Sequence, residues 1–144
     1  MYQVNREKIN EILNFMNRNY EIMKPLTTLT QEEFIQDQII VLATERVLHS
    51  SMESVIDVGN HIIDGFIMRD PGSYTDIIEI LRDEQVLPEE IAQQFKDFIA
   101  FRKDLVTEYT HTTPEKVHQI LVQYFSLLTT FEEYVQAYLI KELG

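Results

Sequence analysis

An all-α fold, an antiparallel bundle of four to five helices, is predicted by two features of the sequence. Apolar residues recur at intervals of three and four over long stretches, and the 144 residues include only 4 Gly and 4 Pro, too few to punctuate an all-β chain. A hydrophobic content of 44% over this length is enough to bury one sizeable core. Residues 1–144 are therefore expected to form a single helical domain, with short connections that make sequential helices antiparallel neighbours.

The elements follow in order. A first helix is expected from about Asn5 to Met23, burying Ile9, Ile12, Leu13, Met16, Tyr20 and Met23 and ending before Pro25. Thr30 and Glu33 form a capping box that opens a long second helix. Its apolar positions include Ile40, Ala43, Val47, Met52, Val55, Ile56, Ile62, Ile63 and Phe66, and it stops near Met68. The stretch Arg69-Asp70-Pro71-Gly72-Ser73 reads as a turn, after which Ser73 and Asp76 cap a short third helix through Ile77, Ile80 and Leu81. Pro88, Glu89 and Glu90 occupy the first turn of a fourth helix carrying Ile91, Phe95, Phe98, Ile99 and Leu105. A fifth starts at Thr112 or Thr113 with Pro114 and Glu115 in its first turn, and reaches Leu143 through Val117, Leu121, Tyr124, Leu128, Phe131, Tyr134 and Leu139.

Composition narrows the function classes. The absence of cysteine excludes a disulfide framework, a thiolate metal site and a thiol nucleophile. The first residues carry charges of both signs with no apolar run of signal length, and no stretch approaches the roughly 20 apolar residues of a membrane span, so a soluble cytoplasmic protein is expected. With 24 acidic against 12 basic side chains, the formal charge of −12 opposes binding of extended RNA and suits a basic protein partner. A local basic cleft would have to draw on Arg69, Arg82, Lys96, Arg102 and Lys103.

Metal spacing is incomplete. Glu53, Asp57, His61 and Asp64 fall on one stripe of the second helix, and Glu115 with His118 makes one Glu-x-x-His pair. Carboxylate-bridged bundles need two such pairs plus inward glutamates, so neither a metal nor another cofactor is predicted. His49 reads as a partly exposed helix residue, and His111 as a loop histidine four residues beyond Thr107.

The chemistry-bearing segment is Phe101-Arg102-Lys103-Asp104-Leu105-Val106-Thr107-Glu108-Tyr109. It resembles the R-x4-H-x-Y signature of HepT-type HEPN proteins, with Arg102 and Tyr109 in place and Thr107 where that family has histidine. The resemblance extends through Asp57-Val58-Gly59-Asn60-His61-Ile62-Ile63, Ser73-Tyr74 and Leu87-Pro88-Glu89-Glu90-Ile91-Ala92, covering about Arg6 to Leu139. It implies a homodimer with the two arginine sites facing one cleft. It also implies metal-independent RNA cleavage in which a 2′-hydroxyl attacks the adjacent phosphate, and a partner antitoxin of the MNT nucleotidyltransferase type that adds AMP to the motif tyrosine, here Tyr109. On its own, a tyrosine near the end of a core helix is more often a packing residue with a satisfied hydroxyl.

The cleavage chemistry needs a group that exchanges protons near neutral pH and a cation on the developing charge. Histidine and arginine suit these tasks, whereas a threonine hydroxyl does not titrate in that range. Candidate catalytic positions are thus Arg102, Thr107 and Tyr109, with weak or lost ribonuclease activity expected; a substitute base at His111 is the lesser alternative to its reading as a loop histidine. The other class left open is a non-catalytic dimeric helical module that binds a nucleotide or a protein partner.

Overall fold

The Asn5 side chain accepts the Lys8 backbone N–H at 3.0 Å and starts helix α1, Arg6–Leu26. The computed structural model describes residues 2–144, and among them every regular element is helical. Helix α1 runs past the expected stop, with Pro25 inside its final turn. The missing proline N–H removes a bond to the carbonyl of Glu21, an exposed residue, and beyond it the Thr27 and Thr28 hydroxyls donate to the Lys24 and Pro25 carbonyls at 2.6 and 2.7 Å, closing the helix end.

The second expected helix is two helices. The Thr30–Glu33 capping box forms, with bonds of 2.9 and 3.1 Å, but it opens only the five-residue α2, Gln31–Ile35. Asp37 then acts as a fresh cap, its carboxylate accepting the Ile39 and Ile40 N–H groups at 3.0 and 3.2 Å, and α3 runs Gln38–Gly65. The break lets Phe34 bury completely beside the His118 ring while Ile39, five residues on, stays 79% exposed.

Ser73 caps α4, Tyr74–Asp83, by accepting the Asp76 N–H at 3.1 Å. Helix α5, Glu89–Ala100, follows Pro88 and stops before the expected Leu105. The chain widens instead into a π-helical turn, Lys103–Thr107. Thr113 caps α6, Pro114–Leu143, by accepting the Lys116 N–H at 3.2 Å, and Pro114 takes the first helical position, where its missing N–H costs nothing.

Long-range bonds fix the directions. Gln3 N–H donates to the Gly65 carbonyl at 3.1 Å, and Asn19 Nδ2 donates to the Ser50 and Ser51 hydroxyls at 2.9 and 3.1 Å, so α1 and α3 run antiparallel. Bonds from Gln136 to Asn10 and from Tyr20 to the Leu128 carbonyl set α1 antiparallel to α6 as well. The ring pairs Phe95–Phe131 and Phe98–Tyr124 lay α5 antiparallel along α6. Helix α4 comes close to α3 at Gly59, where an added Cβ would lie 2.6 Å from Ile77 Cγ2. No helix among the described residues is long and apolar enough to cross a membrane.

The core differs from the sequence reading at several positions. Ala43 is exposed, and Ile12, Tyr20 and Ile40 are only partly buried. Phe95, Phe98 and Ile99 of α5 all point inward, so the largest apolar side chains of that helix belong to the core. Exposed large apolar residues stand instead at Ile39 and Leu42, at the start of α3.

Helix α3 ends with Ile67 in the left-handed region at φ 57°, and the Met68 N–H bonds back to the Ile63 carbonyl at 2.9 Å. A β-branched residue is strained there, and Ile67 is 71% exposed, so it gains little from packing. Ile67→Gly is expected to raise stability by about 1 kcal/mol, read as a higher midpoint in urea unfolding followed by circular dichroism.

Candidate ribonuclease site

The end of α5 and the π turn present Arg102 to α3. Arg102 Nε donates to Glu53 Oε1 at 2.7 Å, and its Cζ lies 4.5 Å from the centroid of the Tyr74 ring. The bond to Glu53 is the main reason that the guanidinium is held above its usual pKa. A single edge of the group is thereby occupied, since among the described residues no acceptor bonds its Nη atoms. Tyr74, at the first position of α4, is 47% exposed and stacks on the guanidinium face, an arrangement that favours a weakly hydrated planar cation.

Arg102 and Thr107 line one open groove of about 370 Å³, together with Ser73, Tyr74 and Lys103. Residues five apart on an α-helix point about 140° away from each other, at 3.6 residues per turn. The π turn removes that divergence, because its i→i+5 bonding places the fifth residue over the first, as in the Glu108 N–H bond to the Lys103 carbonyl at 2.7 Å. The Thr112 hydroxyl donates to the Asp104 carbonyl and ties the following loop to this turn. Spacing at five was the one signal in the sequence that an α-helix would not serve here.

The remaining candidates separate. Tyr109 is 68% exposed beyond the turn and does not line the groove, nor does His111, which sits on an exposed turn. His118 Nε2 lies 3.2 Å from the Leu29 carbonyl, and its ring packs on Phe34. Asp57, His61 and Asp64 line a separate groove with Lys8. Burial, and then the charge of Glu53, hold the Asp57 carboxyl above its usual pKa.

The expected basic cleft shrinks to two residues. Arg69 is bound by Asp76, Arg82 by Glu79, Asp83 and Glu89, and Lys96 by Glu79. Arg102 and Lys103 line the groove, and they too have carboxylate partners, Glu53 at 2.7 Å and Glu108 at 3.7 Å. Sequence reading missed Tyr74 as the ring under Arg102 and Glu53 as its anchor, because neither pairing leaves a local pattern.

The family model described as "Ribonuclease HepT-like" matches residues 16–137. The chain belongs to the HepT-like ribonuclease family. Across all 144 residues, and 96% of the relative, it is 38% identical to YutE of Bacillus subtilis strain 168, named provisionally as an RNase. The solved structure of that B. subtilis protein, described as cytosolic and of unknown function, superposes with a TM-score of 0.90, covering 100% of this chain and 96% of that one. A tri-AMPylated Shewanella oneidensis HEPN toxin in complex with MNT antitoxin shares the fold, with a TM-score of 0.79 at 18% identity over 90% of this chain and 96% of that one. The HepT-like bundle is thus the scaffold on which Arg102 and Thr107 meet.

One acidic anchor holds the loop that delivers Tyr74. Asp76 takes both Arg69 nitrogens at 2.8 Å and the Gly72 N–H at 2.8 Å, and these bonds hold its carboxyl down at about 2 against an ordinary 3.8. A depressed carboxyl contributes stability that is complete above the unfolded value and lost as pH falls toward the folded one. Wild type is therefore expected to melt above Asp76→Asn at pH 6, with the gap closing between about pH 4 and pH 2, as thermal unfolding at a series of pH values would show.

Proposed function

We propose that this HepT-like protein binds single-stranded RNA through Arg102 and cleaves it feebly, without a metal, because Thr107 stands where the chemistry needs a proton-exchanging group. The observation that carries this reading is the shared groove: Arg102 presents unoccupied Nη donors beside Thr107, with Tyr74 as an aromatic surface on which a base can stack. The phosphate meets Arg102 at the Nη edge, so Glu53 need not leave Nε. A charge of −12 elsewhere favours a short segment over an extended polyanion.

The partner reading follows the same family logic. Tyr109 projects into solvent just beyond the groove, accessible to an MNT-type nucleotidyltransferase that would add AMP to its hydroxyl. The S. oneidensis toxin is the AMPylated counterpart on this fold. A homodimer would use the outward face of α3 that begins with Ile39 and Leu42, where apolar surface is exposed.

The second reading, a non-catalytic dimeric module for a nucleotide or a protein partner, is favoured by Thr107 itself. Two measurements separate the two readings, and a third tests the dimer that both require. Arg102→Ala is expected to weaken binding of a short single-stranded RNA by about 1–3 kcal/mol in fluorescence anisotropy; unchanged binding would leave the module reading. Thr107→His is expected to raise chelator-insensitive RNA cleavage by about 10²–10⁴-fold in a gel assay. Light scattering is expected to give twice the 17.0 kDa chain mass, and a monomer at micromolar concentration would remove the shared cleft.

A further inference from the structure

One histidine does stand at the arginine site, and it comes from α3 rather than from the motif. His49 and Glu53 are one helical turn apart, and His49 Nε2 lies 3.4 Å from Glu53 Oε1, the same oxygen that receives Arg102 Nε at 2.7 Å. Among the described residues the His49 ring has no other ion pair or hydrogen bond, and its side chain is 30% exposed. The other three histidines are elsewhere: His118 against Leu29, His61 in the Lys8 groove and His111 on its exposed turn.

We propose that His49 is the proton acceptor of this site, oriented by the carboxylate that also anchors Arg102. The proposal rests on the Arg102 groove being where RNA is bound and cut. A carboxylate facing Nε2 favours the tautomer with its proton on that nitrogen and leaves Nδ1 to accept one, the orientation logic by which a third group prepares a histidine base. The 2′-hydroxyl of the bound RNA gives its proton to Nδ1 as the 2′-oxygen bonds to phosphorus. The bond from phosphorus to the 5′-oxygen breaks, and that oxygen takes a proton from solvent. The products are a 2′,3′-cyclic phosphate and a 5′-hydroxyl end, and His49 then releases its proton to solvent. Arg102 carries the charge that develops on the phosphate oxygens. His49 sits outside the groove lined by Arg102 and Thr107, so its base is reached only by RNA lying across the Glu53–Arg102 pair. That indirect placement accounts for feeble rather than efficient cleavage.

The test uses the full chain with end-labelled single-stranded RNA for cleavage and its 2′-deoxy counterpart, which lacks the nucleophile, for binding. Both His49→Ala and His49→Gln are expected to lower wild-type cleavage about tenfold or more, with deoxy-oligonucleotide binding within about twofold of wild type. Added imidazole is expected to recover part of the rate in His49→Ala alone, an effect that a purely structural role does not produce. Using two variants keeps the result readable if one misfolds. Cleavage that is undetectable in wild type, or unchanged in both variants while Arg102→Ala still weakens binding, overturns the assignment of His49 and leaves the RNA-binding groove standing. Binding that is indifferent to Arg102→Ala removes the groove, and this proposal with it.

Discussion

The burial of α3 is the constraint on which the other elements depend. This helix of 28 residues buries side chains around most of its circumference, from Val41 through Ile63, and a helix so apolar must be covered on several sides. Fully burying each large aliphatic side chain is worth about 1.5–3 kcal/mol, which makes α1, α4 and α6 necessary neighbours rather than incidental ones. Close approach is secured by small residues, Gly59 toward α4 and Ser50 and Ser51 toward Asn19 of α1. What remains is one uncovered stripe, and His49 and Glu53 lie along it. The reactive groups thus sit where the bundle has run out of helices to cover α3.

Much of this was legible in the residues. Ser73 with Asp76, and Thr113 with Pro114, announce the starts of α4 and α6 because a capping hydroxyl must precede the N–H it bonds by a fixed number of residues. The Thr30–Glu33 box was equally legible and still misled, since it forms as expected and then opens a helix of one turn. Asp37 is the competing signal: its carboxylate offers a second cap seven residues on, and the break was concealed by reading the apolar pattern as continuous through Ile40 and Ala43, of which Ala43 is exposed and Ile40 only partly buried. At the site, the motif residues could be named but their partners could not. Arg102 meets Glu53 across 49 residues and stacks on Tyr74 across the α4–α5 turn, and contacts of that range leave no periodic trace.

Charge follows the same division between global and local. The chain carries a large negative excess, yet half of its twelve Lys and Arg side chains are paired with carboxylates: Lys8, Arg69, Arg82, Lys96, Arg102 and Lys103. Such exposed pairs add little stability, and their effect here is to remove attractive charge from the surface. Arg102 escapes this only in part. Glu53 holds it in position while competing with any anion for Nε, so the groove selects ligands able to use the outer edge of the guanidinium.

The π turn has a consequence for how this sequence tolerates change in length. Such a turn carries one more residue than the α-turn that would otherwise occupy its place, and its hydrogen bonding is poorer than that of an ordinary helix. Loss of a single residue between Arg102 and Thr107 would let the backbone relax into the commoner geometry, shifting only partly buried side chains such as Leu105. The residue then four places from Arg102 would still share its face of the helix, about 40° away, so fold and site would tolerate the loss together. What the site does not tolerate is the same number of residues wound as an ordinary α-helix, which would turn Thr107 about 140° away from Arg102.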